Sequence, residues 1–278
     1  MVLIGRLPKP IRRGLGAIAG RLLVWLPNQS KRVTTANLRR AYPSLSECKL
    51  RAITRASLIE LGHKFFTLLA TWQTPAPDVQ KWVTSSEGDA TFHEAVRQGP
   101  TLILLPHLGN WELFGLWLSQ TRPYTAMFRP MRLPAMSDIV RLARERGGNR
   151  LVPATPTGVK SILRDLKTGS TAIILPDQTP KQGMGEFLPF FGLETLTATL
   201  PFRLAQATRA RVFVAGAVRD TQGYHVFFEE LVAPTQSQTE WLTAMNAVIE
   251  AWVRRFPDQY QWEYNRFHQA PDGTHRVI

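Results

Sequence analysis

Cysteine is all but missing: Cys48 is the single one in 278 residues. That excludes an intrachain disulfide framework and a cysteine-based zinc site, so the fold stands on its core. Hydrophobic residues make up 44% and are spread along the chain. One sizeable core is therefore available, and a disordered or low-complexity chain is excluded. Acidic residues are few. Asp plus Glu number 21 against 34 Lys plus Arg, a formal charge of +13, which favours an acidic partner: nucleic acid, an anionic membrane face or an acidic protein. Common catalytic and nucleotide-binding signatures are absent too. There is no Gly-x-Ser-x-Gly elbow, no Gly-x4-Gly-Lys-Ser/Thr loop and no Gly-x-Gly-x-x-Gly, which argues against a serine hydrolase and the usual phosphate-binding loops. His93-Glu94 lacks the second histidine of a zinc helix, so no metal is expected.

A long apolar run is also lacking. The stretch from 11 to 26, IRRGLGAIAGRLLVWL, is interrupted by Arg21, whereas a spanning helix needs about 20 apolar residues. Trp25-Leu26-Pro27-Asn28 offers no small-residue cleavage site, so a secretory signal is not expected. At helical spacing Ile11, Leu15, Ile18, Leu22, Trp25 and Leu26 share a face, with Arg12, Arg13 and Arg21 elsewhere. This suits a helix in the plane of an anionic membrane surface, with Arg12, Arg13, Arg21 and Trp25 in contact with it. An ordinary amphipathic helix packed on its domain reads the same way. Gly14, Gly16 and Gly20 weaken the helix intrinsically, so it needs lipid or protein to form.

From Ser44 the pattern sharpens. Ser44-Leu45-Ser46-Glu47 reads as a capping box, and Leu50, Ile53, Leu58, Leu61, Phe65, Leu68 and Trp72 recur at helical steps, predicting a long helix to about residue 72. Beyond a short helix near 88–98, six short apolar runs follow: 101–106, 124–128, 150–153, 171–176, 211–218 and 224–231. Helical stretches near 110–119, 135–147, 157–168 and 197–209 separate most of them. Such alternation predicts an α/β fold with a mostly parallel central sheet and helices on both faces. The last two runs, joined by a short link, should pair antiparallel. Ser237-Gln238-Thr239-Glu240 opens a final helix with Trp241, Met245, Val248, Ile249, Trp252 and Phe256 as its buried stripe. The expected organisation is an N-terminal interfacial helical segment over 1–43 and a single α/β domain over 44–278.

Ligands in open α/β sheets bind beyond the carboxyl ends of strands. There TLILLP delivers His107, Gly109 relieves the tight link, Asn110 is a good helix cap, and Glu112 falls in the first helical turn. Glu112 is expected to hydrogen-bond one nitrogen of His107 and so raise the basicity of the other, as a general base requires. The second histidine-acid pair, His225 and Glu230, lies within a strand at an odd offset and should be inert. Two more strand ends carry polar groups: Arg129 after YTAMF, and Asp177-Gln178 after TAIILP. His107, Arg129 and Asp177 on one rim would form a single cleft.

Taken together, LPHLGNWE, MFRP, and LPDQTP with LPFFG resemble the bacterial lipid A late acyltransferases, the lauroyl/myristoyl transferase family. The likeness runs from about Asn37 to Arg266. It implies a glycerolipid acyltransferase-like fold and transfer of a fatty acyl group from acyl carrier protein to a hydroxyl of a lipid acceptor, a lipid A precursor, at the bacterial inner membrane. The protein would sit on the cytoplasmic face, monotopic or peripheral, touching anionic lipid. By the same likeness His107 and Glu112 match the catalytic His-x4-acid pair, and Arg129 and Asp177 match polar groups of that cleft. No cofactor is expected beyond the acyl-carrier co-substrate, because a thioester is already activated, and no nucleic acid is expected. With no nucleophile elbow, direct transfer without an acyl-enzyme is expected. Backbone amides at Gly109 and Asn110, or the Arg129 guanidinium, are the oxyanion candidates, with Gln178 beside them. The carboxyl end departs from the family's usual Trp-x-His-Arg-Arg-Phe-Lys, reading Trp262-Glu263-Tyr264-Asn265-Arg266-Phe267-His268. That keeps lysophospholipid and amino-acid-lipid acceptors as alternatives. A non-catalytic basic protein binding membrane or nucleic acid is the rival from another class.

Overall fold

The computed structural model describes residues 7–129, 134–233 and 236–276. Pro130 of the MFRP motif and the first six residues of the segment 1–43 lie outside the described residues. Three helices lead: α1 (Lys9–Trp25), α2 (Gln29–Ala41) and α3 (Glu47–Thr71), followed by the short α4 (Ala76–Gln80). The sheet domain then runs β1 (Val83–Glu87), α5 (Asp89–Gln98), β2 (Thr101–Leu104), α6 (Trp111–Leu118), β3 (Tyr124–Phe128), α7 (Pro134–Glu145), β4 (Arg150–Pro153), α8 (Pro156–Lys167) and β5 (Thr171–Ile174). A hairpin, β6 (Gly185–Phe190) and β7 (Leu193–Ala198), precedes α9 (Leu200–Thr208), β8 (Arg211–Arg219), β9 (Tyr224–Glu230) and α10 (Gln238–Arg255).

The central sheet has the order β1-β9-β8-β2-β5-β3-β4. The five strands from β8 to β4 are parallel, while β9 returns antiparallel to β8 and carries β1 at the edge. All six expected strands form within a residue or two. Alternation along β2 divides the core: Leu102 and Leu104 face α8, α9 and α10, whereas Ile103 and Leu105 face α5 and α6. Covering both faces is what lets a strand such as TLIL be apolar throughout.

Several elements were not anticipated as such, the five-residue α4 among them. β1 reads VTSSE and is mostly exposed, so it shows no apolar alternation. α2 is polar apart from Val33, Ala36, Leu38 and Ala41, of which all but Ala36 are buried. The hairpin turns through Phe191–Gly192, both with positive φ, where no strand pair was expected. The long helix is capped by Ser46, which accepts from the Lys49 amide, two residues after the expected Ser44. Ser237 caps α10 as expected.

The packing of α1 separates the two readings of its amphipathic pattern. Its small face is the buried one. Gly16 and Gly20 lie against Gly62 of α3, and a Cβ on Gly20 would come within 2.4 Å of the Ile59 Cα. The apolar stripe points away: Ile11, Leu15, Ile18, Leu22, Trp25 and Leu26 are six of the eleven exposed large hydrophobics among the described residues, with Trp25 85% exposed. An amphipathic helix packed on its own domain would hide that stripe, and this one does not. Among the described residues, no helix is long and apolar enough to cross a membrane.

Candidate active site

The segments TLILLPH and TAIILPD end β2 and β5 with the same spacing. β2 and β5 are adjacent, parallel and in register, Leu104 opposite Ile174, so the residues three further along arrive level. These are His107 and Asp177. The Asp177 side chain bridges the gap: Oδ2 accepts from the His107 amide at 2.8 Å, and Oδ1 meets the imidazole Nδ1 at 2.8 Å. The first contact fixes the backbone and the second fixes the ring. With Nδ1–H donating to the carboxylate, Nε2 is the free base, and the Gln178 amide lies 3.2 Å from it. Gln178 is held in turn by Gln261 Oε1 at 3.1 Å. Trp111 stands edge-on to the imidazole, centroids 4.9 Å apart.

Burial alone would raise the Asp177 pKa. The His107 charge and its two hydrogen bonds outweigh that and hold the carboxyl below its ordinary value. Tyr260 adds a hydrogen bond to Asp177; its phenol is pushed well above the usual value, first by burial and then by the Asp177 charge. Buried Arg266 lies within the same field, donating to the Leu196 carbonyl. Tyr260, Gln261 and Arg266 were not anticipated. Their segment reaches the site because Leu108 pairs antiparallel with Tyr260, and Asn37 of α2 holds it by donating to the carbonyls of Trp262 and Tyr264.

Glu112 does not orient His107. Its carboxylate is buried and takes a two-pronged ion pair from Arg144 of α7, with Nε to Oε2 at 2.9 Å and Nη2 to Oε1. An acid in the first turn of α6 points into the layer between α6 and α7, while the acid beside His107 comes from the neighbouring strand. Desolvation opposes ionisation of Glu112, but the Arg144 charge and its hydrogen bonds keep its pKa low. The backbone amides expected as oxyanion candidates at Gly109 and Asn110 both have backbone partners. The Gly109 amide donates to the Gln259 carbonyl at 3.1 Å and the Asn110 amide to the Ala217 carbonyl at 2.8 Å. Asn110 is instead the N-cap of α6, accepting from the Leu113 amide at 3.0 Å. Arg129 is exposed and ends β3, the strand beyond β5, on the same rim. His225 and Glu230 are apart as expected: His225 meets Ser85 at 2.8 Å, and Glu230 pairs with Arg211. Cys48 is exposed. Among the described residues, no three His, Cys, Asp or Glu side chains converge as metal ligands would.

Residues 1–269 match the family model described as bacterial lipid A biosynthesis acyltransferase. The chain belongs to that family. As an acyltransferase it is similar in sequence to the lipid A biosynthesis palmitoleoyltransferase of Escherichia coli K12, 24% identical over 96% of this chain and 88% of the relative. The lauroyltransferase of the same organism is 24% identical, covering 98% and 90% of the two chains. Its myristoyltransferase is 28% identical, covering 91% and 78%.

Proposed function

We propose that this acyltransferase moves a fatty acyl chain from the thioester of acyl carrier protein to a hydroxyl of a lipid A precursor, with His107 as general base. The acceptor follows the relatives, and the held imidazole carries the mechanism: Nδ1 fixed by Asp177, with Nε2 turned to a polar rim. The acceptor hydroxyl takes the place of the Gln178 amide at Nε2. As its oxygen bonds to the thioester carbonyl carbon, the proton passes to Nε2. The tetrahedral intermediate then expels the thiolate, which takes that proton back, leaving an ester and a free thiol. Asp177 stays ionised and stabilises the transient imidazolium. The ring partners of His107 are Asp177 and Gln178, neither a nucleophilic hydroxyl or thiol, which supports direct transfer. The Gln178 amide beside Nε2 and the Arg129 guanidinium are the candidate donors to the developing oxyanion.

Two further features support the setting. The stripe on α1 suits an interfacial helix at the cytoplasmic face of an inner membrane, with Arg21 and Trp25 at headgroup depth. The formal charge of +13 suits an acidic carrier protein and an anionic leaflet. His107→Ala should lower turnover with acyl carrier protein and lipid A precursor by about 10²–10⁴-fold, while His225→Ala keeps it. Equal loss in both variants, or no acylated lipid A precursor by mass spectrometry, would refute the reading.

A further inference from the structure

A second polar feature of the molecule takes no part in the chemistry at His107. A cavity of about 80 Å³ lies between the start of α1, α3, the residues before β1 and the β8–β9 turn, room on the order of several waters and ample for a phosphate group. Lys9, Arg12, Arg13, Lys81 and Arg219 line it with His63, and no carboxylate does. Arg219 is neutralised by Glu60, and Lys81 by Asp78 at 2.7 Å. The other three have no acid partner among the described residues. Arg12 stacks 5.0 Å from the centroid of Trp82, and Lys9 donates to the Gln222 carbonyl at 3.1 Å. The local field is positive. Burial first, then Arg219, Arg13 and Arg21 against the pull of Glu60, holds His63 below its ordinary pKa. Three cations gathered around an opening without a counter-charge repel one another unless an anion sits between them.

The same helix says where that anion comes from. Ile11 and Leu15 of the exposed stripe flank Arg12 and Arg13 in sequence, so with the stripe in the acyl boundary the cavity mouth lies at headgroup depth. We propose that this cavity binds the phosphate of an anionic lipid headgroup, gripped by Arg12, Arg13 and Lys9. The assignment rests on the interfacial placement of α1. It adds a discrete site to what would otherwise be diffuse attraction, and it fixes how the catalytic rim is presented to the leaflet.

Titrating the full chain with dihexanoyl phosphatidic acid below its micelle concentration tests the site without a bilayer. Binding should be saturable at one site and should exceed binding of dihexanoyl phosphatidylcholine. Arg12→Gln with Arg13→Gln should weaken it about tenfold or more. Lys160→Gln with Lys167→Gln removes the same charge from exposed positions on α8 and should leave affinity unchanged. The site is overturned if the Arg12/Arg13 variant titrates like the parent, if the Lys160/Lys167 variant weakens equally, or if inorganic phosphate competes as well as the lipid. Two lipids can supply the phosphate, and they separate. With bulk lipid bound, the arginine variant loses binding to phosphatidylglycerol vesicles at unchanged KM for the acceptor; with the acceptor's own phosphate bound, that KM rises and vesicle binding stays. Failure of the interfacial placement shows independently, as full vesicle binding by Ile18→Ser with Trp25→Ser.

Discussion

Two carboxylates near His107 do different work, and substitution tells them apart. Asp177 is bonded to the ring, so Asp177→Asn keeps the shape and offers Nδ1 a group that can favour the wrong tautomer. Turnover should fall about 10²–10⁴-fold, measured at a temperature where circular dichroism shows the variant still folded. Glu112 is bonded to Arg144. Glu112→Gln strands a buried guanidinium and should cost about 3 kcal/mol of stability, read by urea unfolding. Adding Arg144→Met should recover most of that loss, because a buried pair removed whole is far less damaging than a pair half removed. If Glu112→Gln were as stable as the parent yet inactive, Glu112 would act on the reaction directly. The reason Glu112 stood out in the sequence is that local spacing favours partners a few residues away. The decisive contact is across strands, and its trace was there to read: TLILLPH and TAIILPD share a spacing that in-register parallel pairing turns into a contact.

At the scale of elements, α1 combines two faces that sequence alone could not rank. Its stripe and its glycines were both visible, but which one meets the protein depends on α3 offering Gly62 at the crossing. Small residues at the contact let the helix backbones approach closely, and the stripe is left outward. Gly20→Leu should therefore dislodge α1, seen as faster hydrogen exchange over 9–25. Ile18→Ser with Trp25→Ser should leave the melting temperature within a degree or two, since surface changes usually fall within about 0.5 kcal/mol, and should abolish binding to phosphatidylglycerol vesicles. β2, β3, β5 and β8 were legible because burial on both faces makes them apolar runs. β1 was not, because an edge strand with one exposed face after another carries no such signal. The hairpin was hidden by Pro189 and by a turn whose residues, Phe191 and Gly192, do not form one of the usual dipeptides.

Across the whole molecule the balance of charge sets an acid limit. Asp177 and Glu112 have folded pKa values below their unfolded ones. Their contribution to stability is full above the unfolded carboxylate values of about 4 and is lost as pH falls through the folded values. In that window the unfolded chain binds protons that the folded one refuses, so the slope favours unfolding. A formal charge of +13 at pH 7 adds self-repulsion that grows as carboxylates protonate. The two effects separate by salt. At 0.5 M salt the Debye length is on the order of 4 Å, which screens the surface but hardly touches a buried pair. The unfolding midpoint should thus ease downward between pH 7 and 5, as the unfolded chain protonates His63 ahead of the folded one, and drop steeply below pH 4, with salt restoring only part of the loss. Glu112→Gln with Arg144→Met should flatten the part that salt leaves. A drop that salt abolishes in full, or that the double variant leaves unaltered, would mean that the net surface charge alone sets the limit and the buried ion pairs do not.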